Sequence, residues 1–173
     1  MTILTTKRRT LRPLSTADAP ALLAARSDVE VMRYWDWPAQ TSVEQVENII
    51  ADHFSEVEDG NVLWWAVALS PDGPAIDECD LSEIDHHHRR AEVGFLFNRA
   101  YWGKGFAFEA MQAVIAHGFG ALQLERLWAR VHAGNTASQR LLERLGFVRE
   151  GTMKAHILRD GARRDCEIYG LVR

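Results

Sequence analysis

Residues 100–110 read Ala100-Tyr101-Trp102-Gly103-Lys104-Gly105-Phe106-Ala107-Phe108-Glu109-Ala110. Two glycines flank one lysine, a small alanine follows, and the spacing of apolar residues changes here. Residues 91–98 before the loop carry the branched and aromatic content of a strand. Beyond it, Ala107, Met111, Val114, Ile115 and Gly118 recur at helical spacing across residues 105–119. A strand–glycine–helix passage lets successive backbone N–H groups point into one concavity, and the helix adds its positive end, so the segment suits phosphate oxygens. A Cβ at position 103 or 105 would crowd that approach. The spacing is not that of a GxxxxGK[ST] phosphate loop. Nor is it a dinucleotide fingerprint, because the chain's first strand–turn–helix lacks it. Taken alone, the glycines are equally explained by a tight strand-to-helix turn.

Toward the N-terminus, residues 91–98, 75–84 and 62–69 read as strands, the last two joined by Ser70-Pro71-Asp72-Gly73-Pro74. Residues 10–14 form a further strand, with Pro13 suited to an edge. Ser15 or Thr16 opens a helix to about Ser27, and residues 29–39, with Trp35, Trp37 and Pro38, read as a loop or broken helix. A second helix starts at Thr41 or Ser42 with an apolar stripe of Val46, Ile49, Ile50 and Phe54, and Asp59-Gly60 stops it. Toward the C-terminus, residues 126–132 read as a strand and 135–145 as a helix. Residues 147–158 and 165–172 form two closing strands around Asp160-Gly161. The sum is one domain over residues 1–173: a mixed α/β fold with a mostly antiparallel sheet of six or seven strands and about four helices.

Composition bounds the function. The 173 residues are 47% hydrophobic and 25% charged, with a net charge of −4. That balance argues against disorder and mildly against a nucleic-acid partner. Two cysteines, Cys79 and Cys166, make neither a disulfide framework nor a zinc signature, and they read as reduced thiols. The longest apolar run, residues 62–69, is under half of the ~20 residues a spanning helix needs. Lys7, Arg8 and Arg9 have no apolar run behind them, so no secretory signal is expected and a cytoplasmic location is.

A second segment makes the first specific. Asn135-x-x-Ser138-x-x-Leu141-x-x-x-Leu145-Gly146-Phe147, together with residues 100–110, resembles the two cofactor motifs of the GNAT acyltransferase superfamily, in particular its RimJ/RimL-like branch of ribosomal-protein N-terminal acetyltransferases. Arg12-Pro13-Leu14 and Ala17-Asp18-Ala19 resemble that branch's opening. The resemblance spans nearly the whole chain. It implies a GNAT fold in which the fourth and fifth strands, at residues 92–97 and 127–132, splay into a V. The pantetheine arm of acetyl-CoA would pair with backbone near Phe95, Leu96 and Phe97. The pyrophosphate would lie on the amides of Trp102, Gly103, Lys104, Gly105, Phe106 and Ala107, with Asn135 holding the pantetheine.

The resemblance also implies a reaction: acetyl transfer from acetyl-CoA to a primary amine, by direct attack in a ternary complex. The acceptor is a protein or peptide N-terminus or a small amine. The alternative is a coenzyme A-binding protein of the same fold with lost or regulatory activity. An α-amine, with a pKa near 7.7–8.0 against roughly 10.4 for lysine, is the easier nucleophile at neutral pH. Glu92, in Glu92-Val93-Gly94, is the candidate base; the plain alternative is a solvent-facing strand glutamate paired with Arg89 or Arg90. Ser138 is the candidate proton donor to the leaving thiolate, because the tyrosine many superfamily members use is replaced here by Leu142; the plain alternative is an N-terminal helix polar group. A backbone N–H near Phe95 would serve the oxyanion.

Trp35 and Trp37 fall where the branch walls its acceptor site, with Tyr34 and His132 as weaker additions, and core packing explains either tryptophan equally well. Trp64 and Trp65 fall on opposite sheet faces. His86-His87-His88 reads as a solvated hairpin tip, and no metal is expected. Asp77-Glu78-Cys79-Asp80 is costly in a central strand unless the strand is displaced or its acids face the acceptor mouth, where Asp77 and Asp80 would favour a cation. A homodimer is common in the family.

Overall fold

The computed structural model describes residues 2–173, without the side chain of residue 55. Eight strands form one sheet: β1 (Leu4–Thr5), β2 (Thr10–Pro13), β3 (Leu63–Ala68), β4 (Ala75–Asp85), β5 (Arg90–Phe97), β6 (Arg126–His132), β7 (Val148–Arg159) and β8 (Ala162–Val172). Their order across the sheet is β1-β2-β3-β4-β5-β6-β8-β7. Every pairing is antiparallel except β5 with β6. The sheet has one strand more than the sequence patterns indicate, because β1 is only two residues long. The diverging pair is therefore fifth and sixth in chain order.

Five helices cover the sheet: α1 (Ala19–Arg26), α2 (Val43–Asp52), α3 (Phe54–Glu58), α4 (Phe106–Gly120) and α5 (Thr136–Arg144). The period-two alternation of strands sorts the layers. Trp65, Val67, Cys79, Leu81 and Val93 face α4, where Ala110, Met111 and Val114 complete the main core. Ala66 and Ala75 face the other way, under Leu22 of α1 and Val46 and Ile50 of α2. Trp64 packs on this second layer and Trp65 on the first, so the two indoles do lie on opposite faces.

The expected second helix is two helices. It breaks at His53, whose ring Nδ1 lies 2.7 Å from the Ile49 carbonyl oxygen. The break takes Phe54 out of the apolar stripe, and that ring is exposed. His86, His87 and His88 stand exposed at the β4–β5 turn.

A buried ion pair ties α1 to the sheet. Arg26 of α1 meets Glu78 of β4 at 2.5 Å, and the two side chains are 5% and 2% exposed. Burial pushes the Glu78 carboxyl pKa up, and the guanidinium pulls it back. Removing one partner leaves the other charge uncompensated. Arg26→Ala is therefore expected to lower the unfolding free energy by about 3–5 kcal/mol. Urea denaturation checks this, and a loss below 1 kcal/mol would contradict it.

Candidate active site

β5 and β6 pair only at their first three positions, Arg90 with Arg126, Ala91 with Leu127 and Glu92 with Trp128. Beyond them the strands part. β5 stays bonded to β4 through Phe97, and β6 stays bonded to β8 through His132. Each strand is thus held by its outer neighbour. The inward-facing backbone groups of residues 93–97 have no strand partner, which is the V-shaped opening the sequence motifs imply. A cleft of about 350 Å³ lies here.

The loop at the end of β5 is set by its glycines. Gly103 and Gly105 have φ of +73° and +75°, values that cost an L-residue about 1–2 kcal/mol. Gly105 is the N-cap of α4. Among the described residues, the amides at 103–108 donate to no acceptor, whereas those of Trp102 and Glu109 are bonded to Arg99 and Gly105 carbonyls. Six free donors at a helix N-terminus fit a diphosphate. The loop is braced from below. The Trp102 indole donates to the Phe97 carbonyl at 2.7 Å, and Lys104 Nζ donates to the Ala100 carbonyl at 2.9 Å. The Phe97 carbonyl thus accepts from that indole, and β5 lines the opening with Glu92, Val93, Gly94, Phe95 and Leu96. The N-terminal arm adds a residue that sequence reasoning missed. Arg8 donates from Nη1 to the Lys104 carbonyl at 3.0 Å and from Nε to Glu109 at 2.6 Å.

Asn135 and Ser138 border the cleft from the start of α5. Asn135 Oδ1 accepts the Ser138 amide at 3.2 Å, so the asparagine caps its own helix. Its amide N–H groups remain available to donate. The Ser138 hydroxyl bonds to no other described residue.

Glu92 does not pair with Arg89 or Arg90, which bind Glu125 and Asp85. Its side chain is 13% exposed and turns into the cleft, with Arg130 Nε 3.9 Å away. Burial raises its pKa to about 7, against the opposing pull of Arg130. Trp35 lies half-buried against the cluster that holds Leu96 and Met32, and Trp37 is exposed at the mouth. His132 is buried, with Nε2 2.6 Å from Asp36 Oδ1 and Nδ1 unpartnered. Asp36 also lies 3.6 Å from Arg130. The His132 contact leads in holding the Asp36 pKa below its usual range. Asp36 and Arg130 carry no sequence signal. They link the loop between the two tryptophans to β6, on the far side of the opening.

The acidic run on β4 is not displaced; it stays in register between β3 and β5. Glu78 and Asp80 line the cleft and Asp77 does not, which corrects the expectation that Asp77 and Asp80 share the mouth. Residues three apart on a strand point to opposite faces. Asp77 is buried on the α4 side, where it accepts the Asn98 amide at 2.7 Å, and burial raises its pKa to about 7. Asp80 lies across from Gly94, and a Cβ at 94 would come within 2.9 Å of Asp80 Cγ and closer still to Oδ1. Gly94 thus makes the space its neighbour's carboxylate fills.

A mixed sheet that opens between two parallel strands, next to a glycine-capped helix with free amides, is the architecture of an acyl-CoA-using transferase. The GNAT acetyltransferase domain model matches residues 8–148. The chain is 34% identical to the uncharacterized N-acetyltransferase p20 of Bacillus licheniformis, covering 100% of this chain and 97% of that one. It is 27% identical to the spermidine N(1)-acetyltransferase of Escherichia coli (strain K12), with 90% and 81% covered. Among solved structures, RimJ of Mycobacterium smegmatis in complex with CoA-disulfide aligns with a TM-score of 0.89 and 25% identity, over 99% of this chain and 87% of that one. The chain belongs to the GNAT acetyltransferases, and its class of activity is acetyl-CoA-dependent N-acetylation. No helix among the described residues is long and apolar enough to cross a membrane.

The Gly94–Asp80 fit gives a direct test. Gly94→Ala is expected to cost about 1–3 kcal/mol of stability through overpacking. Most of that cost should vanish when Asp80→Ala is added. Equilibrium denaturation of the four proteins in the cycle reads the coupling, and simple additivity would contradict the contact.

Proposed function

We propose that this chain moves the acetyl group of acetyl-CoA to a primary amine, by direct attack with both reactants bound. The observation that carries this reading is the unpaired run of β5 beyond Glu92. It offers one edge to an extended arm, and it lies between a free-amide loop and a buried carboxylate. Acetyl-CoA supplies an activated thioester. The amides at 103–107 and the positive end of α4 suit its diphosphate, while the open edge at Phe95 and Leu96 and the Asn135 amide suit its pantetheine arm.

The remaining chemistry falls to this chain's own groups. Glu92, with its pKa near neutrality, takes the proton that the amine sheds as the new N–C bond forms and the C–S bond breaks. A β5 amide near Phe95 donates to the negative charge that develops on the acetyl oxygen. The Ser138 hydroxyl gives a proton to the departing thiolate and regains one from solvent. The proton on Glu92 returns to water. The acceptor is a protein or peptide N-terminus or a small amine, and Trp35 and Trp37 form its wall, with His132 behind.

Glu92 works only when ionised, so activity is expected to rise with pH through about 7 as that carboxyl loses its proton. Glu92→Gln should lower kcat by about 10²–10⁴-fold. It should also remove the acid limb of the pH profile while leaving coenzyme A affinity, read by calorimetry, within about threefold of the parent. Ser138→Ala should lower kcat and spare KM for the amine. A chain that binds coenzyme A but releases no thiol with any amine would favour a binding role instead. A chain that binds ATP and not coenzyme A would overturn the reading.

A further inference from the structure

The charges of the cleft can be followed pair by pair, and this inference rests on the amine-acetylating reading. Arg26 is occupied by Glu78 at 2.5 Å. Asp36 is met by His132 at 2.6 Å and Arg130 at 3.6 Å. Glu92 has only Arg130, at 3.9 Å. Asp80 has no ion pair among the described residues, although it borders the same cleft. Behind it, the second oxygen of Glu78, Oε2, has no hydrogen-bond partner on a side chain that is 2% exposed and also lines the cleft. A buried carboxylate oxygen left like Glu78 Oε2 is costly unless a cation or donor arrives from outside. Trp35 and Trp64 border the same space, and indole rings attract ammonium groups.

Position matters as much as charge. Across the β4–β5 pair, Asp80 faces Gly94 and Ser82 faces Glu92, so Asp80 and Glu92 are diagonal neighbours on one sheet face. Such neighbours are about 7–8 Å apart along the backbone, with side chains somewhat closer. One nitrogen can stand at Glu92 while a second stands at Asp80. Gly94 contributes by leaving room for the Asp80 carboxylate over its own Cα.

We propose that Asp80, backed by Glu78, is a specificity-determining anchor for a second ammonium group on the acceptor. The preferred acceptors are then short aliphatic diamines or polyamines, with about three to five methylenes between nitrogens to match the spacing of diagonal strand neighbours. One nitrogen stays cationic on Asp80 while the other, neutral, attacks the thioester and sheds its proton to Glu92 as the N–C bond forms. A peptide N-terminus, lacking the second cation at this distance, is the poorer substrate.

The test is thiol release from acetyl-CoA by the full chain across matched series: propylamine, butylamine and pentylamine against the α,ω-diamines of the same lengths. Diaminooctane serves as a long control, and an alanine-initiated tripeptide as an N-terminal amine. The diamines are expected to exceed the monoamines in kcat/KM by about tenfold or more, as one charge-assisted contact allows, with diaminooctane and the tripeptide falling back. Asp80→Asn, checked for folding by its coenzyme A affinity, should bring the diamine-to-monoamine ratio to within about threefold. Equal rates for the two series, a tripeptide that outruns the diamines, or a diamine advantage that survives Asp80→Asn would each overturn the anchor and leave the amine-acetylating reading in place. Binding of coenzyme A with no thiol release for any amine would overturn both. Should Asp80→Asn fail to bind coenzyme A, the parent chain's series decides by itself.

Discussion

β5 and β6 stop bonding to each other after Glu92, and the rest of the molecule is arranged to tolerate that loss. Unpaired backbone groups inside a sheet are costly. Here the cost is contained because each strand keeps its outer partner along its full length, β4 for β5 and β8 for β6. The parallel pairing of the two strands over only three positions makes the divergence possible. The layers on either side are α1 and α2 on one face and α4 and α5 on the other.

Around this opening the local structures serve both fold and site. Asn135 caps α5 with its oxygen and keeps its nitrogen free. Gly105 ends a loop and begins a helix, so its positive φ turns the chain and exposes amides at once. Gly94 is a strand residue whose missing side chain is replaced by the Asp80 carboxylate. The Asp36 contacts to His132 and Arg130 carry the tryptophan loop across to β6, so one wall of the cleft is hung from the strand on its other side.

What could be read from residue order was whatever is written locally. The change of apolar period at Gly105 and the glycines around Lys104 located the loop and its helix. The Asn135–Ser138 spacing located the second helix start. The alternation along β3 placed Trp64 and Trp65 on opposite faces. The same alternation, applied strictly, separates Asp77 from Asp80, and pairing them at one mouth overlooked that three steps along a strand reverse the face. The break at His53 hid because a one-residue interruption leaves an apolar count almost unchanged. Contacts between distant segments had no local signature at all. Asp36 meets His132 across 96 positions, and Arg8 reaches Lys104 across a similar span. Nothing about an aspartate between two tryptophans announces which strand it will touch.

The indoles give the molecule a built-in optical sensor. Of six tryptophans, Trp35, Trp37 and Trp64 border the cleft, Trp102 stands on the glycine loop, and Trp65 is sealed in the core. Occupancy on the amine side and at the diphosphate loop therefore falls on different chromophores, and single tryptophan-to-phenylalanine replacements would let emission intensity separate the two binding events in an unlabelled protein.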